Sequence, residues 1–374
     1  MVALSLDSDA IVKVLAISSY GELGGGELSL VEFLNYRPAG VEAIALLVED
    51  GPLRARLLKS GIPTWAAQDF DGRPTPVELA RFTRSLLDLL ERTDPDVVWA
   101  TGLKAASMAV PACRLAGVPV VWHKIDFSLD SVLARPLALA VNGVVSVSNA
   151  VVGALGRGLR SRRLLAVVGP PVRLANELRV VPNRSQLTIG TTATLTPIKG
   201  QRYIVEAASL LAAEFPHLRV ILAGAPSPDF PGFPDELRRL ADERGIGERL
   251  ELSGFVENVG DVLSRMTVFI NATYRDERGF GWEGLSGAML EASWVGLPVV
   301  ATDGGGTPEG LQDGATGMLV PEADPMAMAM AIAPYLRDPD LASAAGEAGA
   351  RFTRERFAPA VGARRLFEAL AQVA

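Results

Sequence analysis

Glu283 and Glu291 stand eight residues apart in GFGWEGLSGAMLEASWVGLPVVATDGGGTPEG, a run starting at Gly279 that is otherwise mostly glycine and apolar residues. Taking a carboxylate out of water is costly unless a partner compensates it. Two of them kept in such surroundings point to a bound group. Ser286 is a good N-cap for a helix from about Gly287 to Val295, which Gly296 and Pro298 stop. Glu283 then lies in the glycine-rich loop just before the helix, and Glu291 about one and a half turns inside it. A helix N-terminus offers free amides and partial positive charge, which suit a phosphate. The carboxylates suit hydroxyl donors, as sugars supply. A diphosphate between two polyols, as in a nucleotide sugar, fits both requirements.

The elements that must position these groups recur along the chain. Apolar runs of strand length form one series, VKVLAIS, EAIALLV, DVVWA, VPVVWH and GVVSVS, and a second, LTIGTTA, LRVILAG, LELSGF, TVFINA, LPVVAT and GMLV. Amphipathic stretches such as PVELARFTRSLLDLLERT and QRYIVEAASLLAAEF separate them. Strand and helix in alternation imply right-handed βαβ units and parallel sheets. The stretch VVGPPVRLANELRVVPNRSQ, rich in proline, asparagine and arginine, interrupts the series as a linker. The expected fold class is α/β, two Rossmann-like doubly wound domains facing across a cleft, with ligands beyond the C-terminal strand ends. We place the first domain, on the acceptor side, at 1–182 and the second, nucleotide-sugar-binding, at 183–350. A C-terminal helix within 351–374 is free to pack on either domain, including back on the first.

Composition narrows the partners. The 374 residues are 49% hydrophobic and 21% charged, with a formal net charge of −7. That balance argues against nucleic acid, which needs a basic face. A single cysteine, Cys113, excludes an internal disulfide and reads as a buried helix position. The start of the chain shows no basic segment ahead of its apolar part, so no signal peptide is expected. The uncharged run 136–156 is long enough to span a bilayer, but Asn142-Gly143 and the alternation in VVSVSN divide it into helix end, strand and helix. A cytoplasmic protein follows. Arg157, Arg160, Arg162 and Arg163 leave open a peripheral contact with the inner face of the membrane or with a phosphorylated acceptor. GELGGGE lacks the G-x-G-x-x-G spacing of a nicotinamide site. Nothing in the pattern bears on oligomeric state.

Glu283 and Glu291, with EGLSGAMLEA running into GLPVVATDGGGTPE and DGATGMLVPEADP, resemble the retaining glycosyltransferases of family 4, whose fold is called GT-B. In the first domain GELGGGELSLVEFL, VVWHKIDF and VVSVSNAV fall where that family has a glycine loop, a histidine and a serine-containing strand end. TLTPIKGQ falls at its phosphate-binding loop. The resemblance implies that Glu291 holds the donor ribose and Glu283 the hydroxyls of the transferred sugar. Amides of Gly284, Leu285, Ser286 and Gly287 would contact the diphosphate, and Lys199 would neutralise charge on the departing nucleotide. His123 would face the transferred sugar, and Gly25 and Gly26 would let the backbone approach donor or acceptor. No metal ligand set and no cofactor are expected beyond the nucleotide sugar as co-substrate. The acceptor would be a small molecule, glycan or lipid-linked hydroxyl.

The chain departs from the family at Thr194, where an arginine is usual five residues before the lysine. Arg275 and Arg278, in the loop before Gly279, are candidate substitutes for this half of the phosphate clamp. The expected activity is retaining, metal-independent transfer of a sugar, by front-face displacement in which the departing phosphate helps deprotonate the acceptor. Alternatives are a phosphorylase or epimerase on the same fold, and a non-catalytic relative that binds nucleotide sugar.

Overall fold

The computed structural model describes residues 12–67, 75–127, 130–174, 178–180 and 186–374. The first eleven residues, and positions 175–177 and 181–185 of the linker stretch, lie outside the described residues. Two compact units emerge, one of Met1–Pro171 with Phe357–Ala374 and one of Val172–Arg356.

The first unit is built on seven parallel strands: β1 (Val12–Ser18), β2 (Val41–Leu47), β3 (Thr64–Ala66), β4 (Val97–Thr101), β5 (Val120–Lys124), β6 (Gly143–Ser146) and β7 (Leu164–Val167), ordered β3-β2-β1-β4-β5-β6-β7. Central strands such as VVWAT of β4 are buried on both faces, because crossover helices cover the sheet on either side. Leu15, Ile17, Val98 and Ala100 pack against helices Pro76–Thr93 and Gly102–Ala116 on one face. Val14, Ala16, Trp99 and Val121 pack on the other, against Phe33 and Leu34 of helix Gly25–Asn35 and against Leu366, Phe367 and Leu370. The last three belong to the helix Pro359–Ala371, so the end of the chain completes the first unit's core. Strands β3 and β7 escape the sequence reading because they are three and four residues long and lie at the sheet edges. Cys113 is fully buried in its helix, and burial pushes its thiol up to about 12.

The second unit holds six parallel strands: β8 (Thr188–Thr192), β9 (Arg219–Ala223), β10 (Leu250–Gly254), β11 (Val268–Asn271), β12 (Val299–Thr302) and β13 (Gly317–Val320), ordered β10-β9-β8-β11-β12-β13. In both sheets the strand order reverses beside the first strand, between β1 and β4 and between β8 and β11. Connections leave such a switch point in opposite directions and open a crevice beyond the strand ends. In the second unit, the segments leaving that crevice are those after Thr192 and after Asn271. They carry Lys199 and Glu283.

Candidate donor site

Helix Gly287–Val295 begins as its sequence requires, with the Ser286 hydroxyl accepting from the Met289 amide at 3.4 Å and Gly296 closing it in a left-handed conformation. Around its first turn the structure gathers two ion pairs. Lys199 Nζ donates to Glu283 Oε1, and Arg173 Nε donates to Glu291 Oε1 at 2.7 Å. The side chains of Lys199 and Glu283 are 23% and 21% exposed, whereas Glu291 is only 3% exposed.

Local geometry explains how Lys199 reaches Glu283 across 84 residues. Pro197–Lys199 form a short 3-10 turn, and Gly200 ends it with φ of +68°. A side chain at Gly200 would collide with the Ala272 carbonyl, so glycine lets the lysine turn lie against the end of β11. Tyr274 N donates to Ile198 O at 3.1 Å, and the buried Gln201 amide donates to Thr194 O at 2.9 Å. Glu283 is fixed from its other side as well. The Gly306 amide donates to its carbonyl at 3.0 Å, and Gly305, at φ +57°, leaves the space that this approach needs. Neighbouring Trp282 donates from Nε1 to Glu322, whose second oxygen accepts from Arg275 N at 3.0 Å.

The Glu283 carboxylate also accepts from Thr273 Oγ1 at 3.0 Å and from the Ser286 hydroxyl. Burial pushes its carboxyl up, but the Lys199 charge and these donors together bring it below its ordinary 4.5. It is therefore a carboxylate at neutral pH, an acceptor for hydroxyls. Asn271, 6% exposed at the end of β11, shares the single Thr273 hydroxyl proton with Glu283, its Oδ1 lying 3.2 Å from Thr273 Oγ1, and its buried Nδ2 has no partner among the described residues. Gly284, Leu285 and Ser286 are buried, and Gly287 is half-buried at the start of the helix.

The other residues singled out in the sequence fall apart from this cluster or beside it. Thr194 is exposed and joins it only through its carbonyl. Arg275 stacks on Trp282, 4.6 Å from the ring centre, and donates to Gly279 O at 3.0 Å. Arg278 pairs with Asp276 at 3.0 Å, with 77% of its side chain exposed. Neither has a described contact with Lys199. Arg173 is the residue that sequence reasoning missed; its pairing spans 118 residues, and only the charge of Glu291 hinted at a cation.

Gly25 and Gly26 belong to the first unit, where they form the first turn of helix Gly25–Asn35, with Gly24 as N-cap. Glu27 turns back on that turn; burial raises its carboxyl, while the amides of Glu27 and Gly24 partly oppose the shift. His123, on β5 of the same unit, is 4% exposed, packed 6.0 Å from the Phe33 ring and 5.9 Å from that of Trp99, and its Nε2 has no partner. Burial drives it down to about 4, so it is neutral at pH 7. It can there donate or accept a hydrogen bond but carries no charge. Among the described residues no group of three or more His, Cys, Asp or Glu could hold a metal ion, and no helix is long and apolar enough to cross a membrane.

Comparison with known proteins agrees with this architecture. Residues 186–338 match the family model of the glycosyl transferases group 1, which covers the Lys199, Glu283 and Glu291 cluster. The chain is 31% identical over 163 residues to D-inositol 3-phosphate glycosyltransferase of Streptomyces avermitilis, an alignment covering 42% of this chain and 34% of that protein. It is 30% identical over 194 residues to the lipopolysaccharide core biosynthesis mannosyltransferase LpcC of Rhizobium leguminosarum, covering 52% and 53%. The chain thus spans about a third to a half of these two relatives. A longer match, 27% identical over 303 residues, covers 74% of the chain and 75% of the GDP-mannose-dependent alpha-(1-6)-phosphatidylinositol monomannoside mannosyltransferase of Mycolicibacterium smegmatis. Among solved structures, Anabaena HepE in complex with UDP superimposes with a TM-score of 0.81 at 20% identity, over 96% of this chain and 99% of that one. Residues 186–338 thus match a glycosyl transferases group 1 domain, and the chain shares the fold of two Rossmann-like domains seen in HepE.

Proposed function

We propose that this chain is a retaining glycosyltransferase that moves a sugar from a nucleotide diphosphate sugar to a hydroxyl acceptor, without a metal ion. The observation that carries the proposal is the pairing of Lys199 with Glu283, and of Arg173 with Glu291, around one helix N-terminus at the switch point of the second sheet. In this reading the diphosphate lies against the first-turn amides, the ribose hydroxyls donate to Glu291, and the sugar hydroxyls donate to Glu283. Lys199 uses one of its three N–H donors on Glu283. The others face the charge that grows on the leaving diphosphate, where fixed donors lower a barrier most effectively. Both carboxylates of the cluster are already engaged by cations, Lys199 on Glu283 and Arg173 on Glu291, which favours front-face transfer with the leaving phosphate taking the acceptor's proton. The relatives named for inositol phosphate, lipopolysaccharide core and phosphatidylinositol mannoside acceptors support a hydroxyl on a polyol or lipid-linked glycan.

The test is incubation of the purified chain with UDP- and GDP-sugars and a panel of such acceptors, followed by NMR of the product's anomeric centre. Retained configuration supports the proposal. Inversion overturns the retaining mechanism, and absence of nucleotide diphosphate binding by calorimetry overturns the donor site.

A further inference from the structure

Arg173 asks for an explanation that the fold does not give. Its Nε alone is engaged by Glu291, and its two terminal nitrogens have no described partner. The side chain is 27% exposed while the carboxylate that it serves is 3% exposed, so the guanidinium forms the outer, accessible side of the pair. A helical side chain leans toward the turn N-terminal to its own position. Glu291 therefore brings Arg173 over the first turn of helix Gly287–Val295, where an anion would bind. Charge points the same way. Lys199 and Arg173 balance Glu283 and Glu291, leaving the cluster neutral; without Arg173, a diphosphate would have to enter a site of net negative charge. A guanidinium whose terminal nitrogens have no partner among the described residues is suited to phosphate oxygens, more so than an ammonium.

We infer that Arg173 is the second phosphate-binding cation of the donor site, held by Glu291 and shared between that carboxylate and the diphosphate. This rests on the donor-site reading above. It also assigns the Arg173–Glu291 pair a double duty, ribose on one carboxylate oxygen and phosphate on the guanidinium's outer edge.

Binding of uridine and guanosine, each as nucleoside, monophosphate and diphosphate, separates the possibilities by calorimetry on the full chain. Arg173→Gln keeps a neutral donor for Glu291 and removes the charge. The expected result is a loss of roughly ten- to a hundred-fold in diphosphate affinity, with nucleoside affinity within about three-fold. Equal loss for nucleoside and diphosphate would mean that Arg173 only holds the Glu291 carboxylate in place, and the inference fails. Unchanged or tighter diphosphate binding fails it too. Thermal melts verify folding, and if Arg173→Gln unfolds, Arg173→Lys decides: the diphosphate must weaken several-fold while the nucleoside does not. A parent chain that binds neither base series removes the donor-site reading together with this inference, whereas the variant outcomes bear on Arg173 alone.

Discussion

Replacing Lys199 by methionine roughly keeps the length of the side chain and removes its charge from the half-buried carboxylate of Glu283. In the parent protein that carboxyl is held below 4.5, so the pair contributes stability above the unfolded value of 4.5, lost as pH falls through the lowered one. In Lys199→Met the largest influence left is burial, which pushes the carboxyl upward, opposed only by the Thr273 and Ser286 hydroxyls. The folded variant then binds a proton more tightly than the unfolded chain. Its deficit must grow as pH rises past 4.5. At 23% and 21% exposure the pair lies between surface pairs, worth about 0–1 kcal/mol, and buried ones, whose breaking costs about 3–5. A loss of about 1–3 kcal/mol at pH 7, shrinking toward pH 4, is expected. Urea unfolding at pH 4, 5, 6 and 7 measures it, and Lys199→Met/Glu283→Gln should regain most of the pH 7 loss. A deficit that does not vary with pH, or a double variant no more stable than the single, would refute the reasoning.

Four further outcomes are expected. Glu291→Ala should weaken nucleotide diphosphate binding, whereas Glu283→Gln should lower turnover and leave that affinity within a few-fold; calorimetry and rate assays compare them. In the proposed site Lys199 and the helix amides would neutralise the phosphates, so transfer activity should survive a chelator; abolition by EDTA with recovery in magnesium would contradict this. Because burial holds His123 down at about 4 against an ordinary 6.5, folding stability should fall by up to about 3 kcal/mol as pH drops from 6.5 to 4. His123→Leu should remove that part of the acid sensitivity in unfolding curves. Arg278→Ala, which breaks only the exposed pair with Asp276, should leave nucleotide diphosphate affinity within about two-fold.

What the sequence reveals here is whatever short-range pattern controls. Ser286, Gly296 and Pro298 bracket their helix within thirteen residues, and the structure has that helix from Gly287 to Val295. Apolar runs of five to seven residues mark most strands, because a parallel strand covered on both faces favours apolar residues along its length. Arg173 was not legible. It lies in a stretch whose prolines and asparagine look like a connection, and its partner is more than a hundred residues away. The orientation of Arg275 was hidden for a related reason: stacking on Trp282 and a bond to Gly279 O depend on how the loop folds back on itself. The neighbours of His123 in VPVVWH mark it as a strand-end residue, but its enclosure by Phe33 and Trp99 comes from two other elements.

The return of the last helix to the first unit bears on the order in which this protein can be made. Leu366, Phe367 and Leu370 are at most 1% exposed, and burying each contributes about 1.5–3 kcal/mol, roughly 5–9 together before ordering entropy is subtracted. During synthesis, residues 12–171 emerge first, yet the apolar face around Phe33 and Trp99 lacks the part of its cover that Leu366, Phe367 and Leu370 supply until residue 370 leaves the ribosome. The second unit, a single continuous segment, can close before that. The half of the chain translated first is thus the half finished last. In the interval the apolar surface that those three side chains cover faces water.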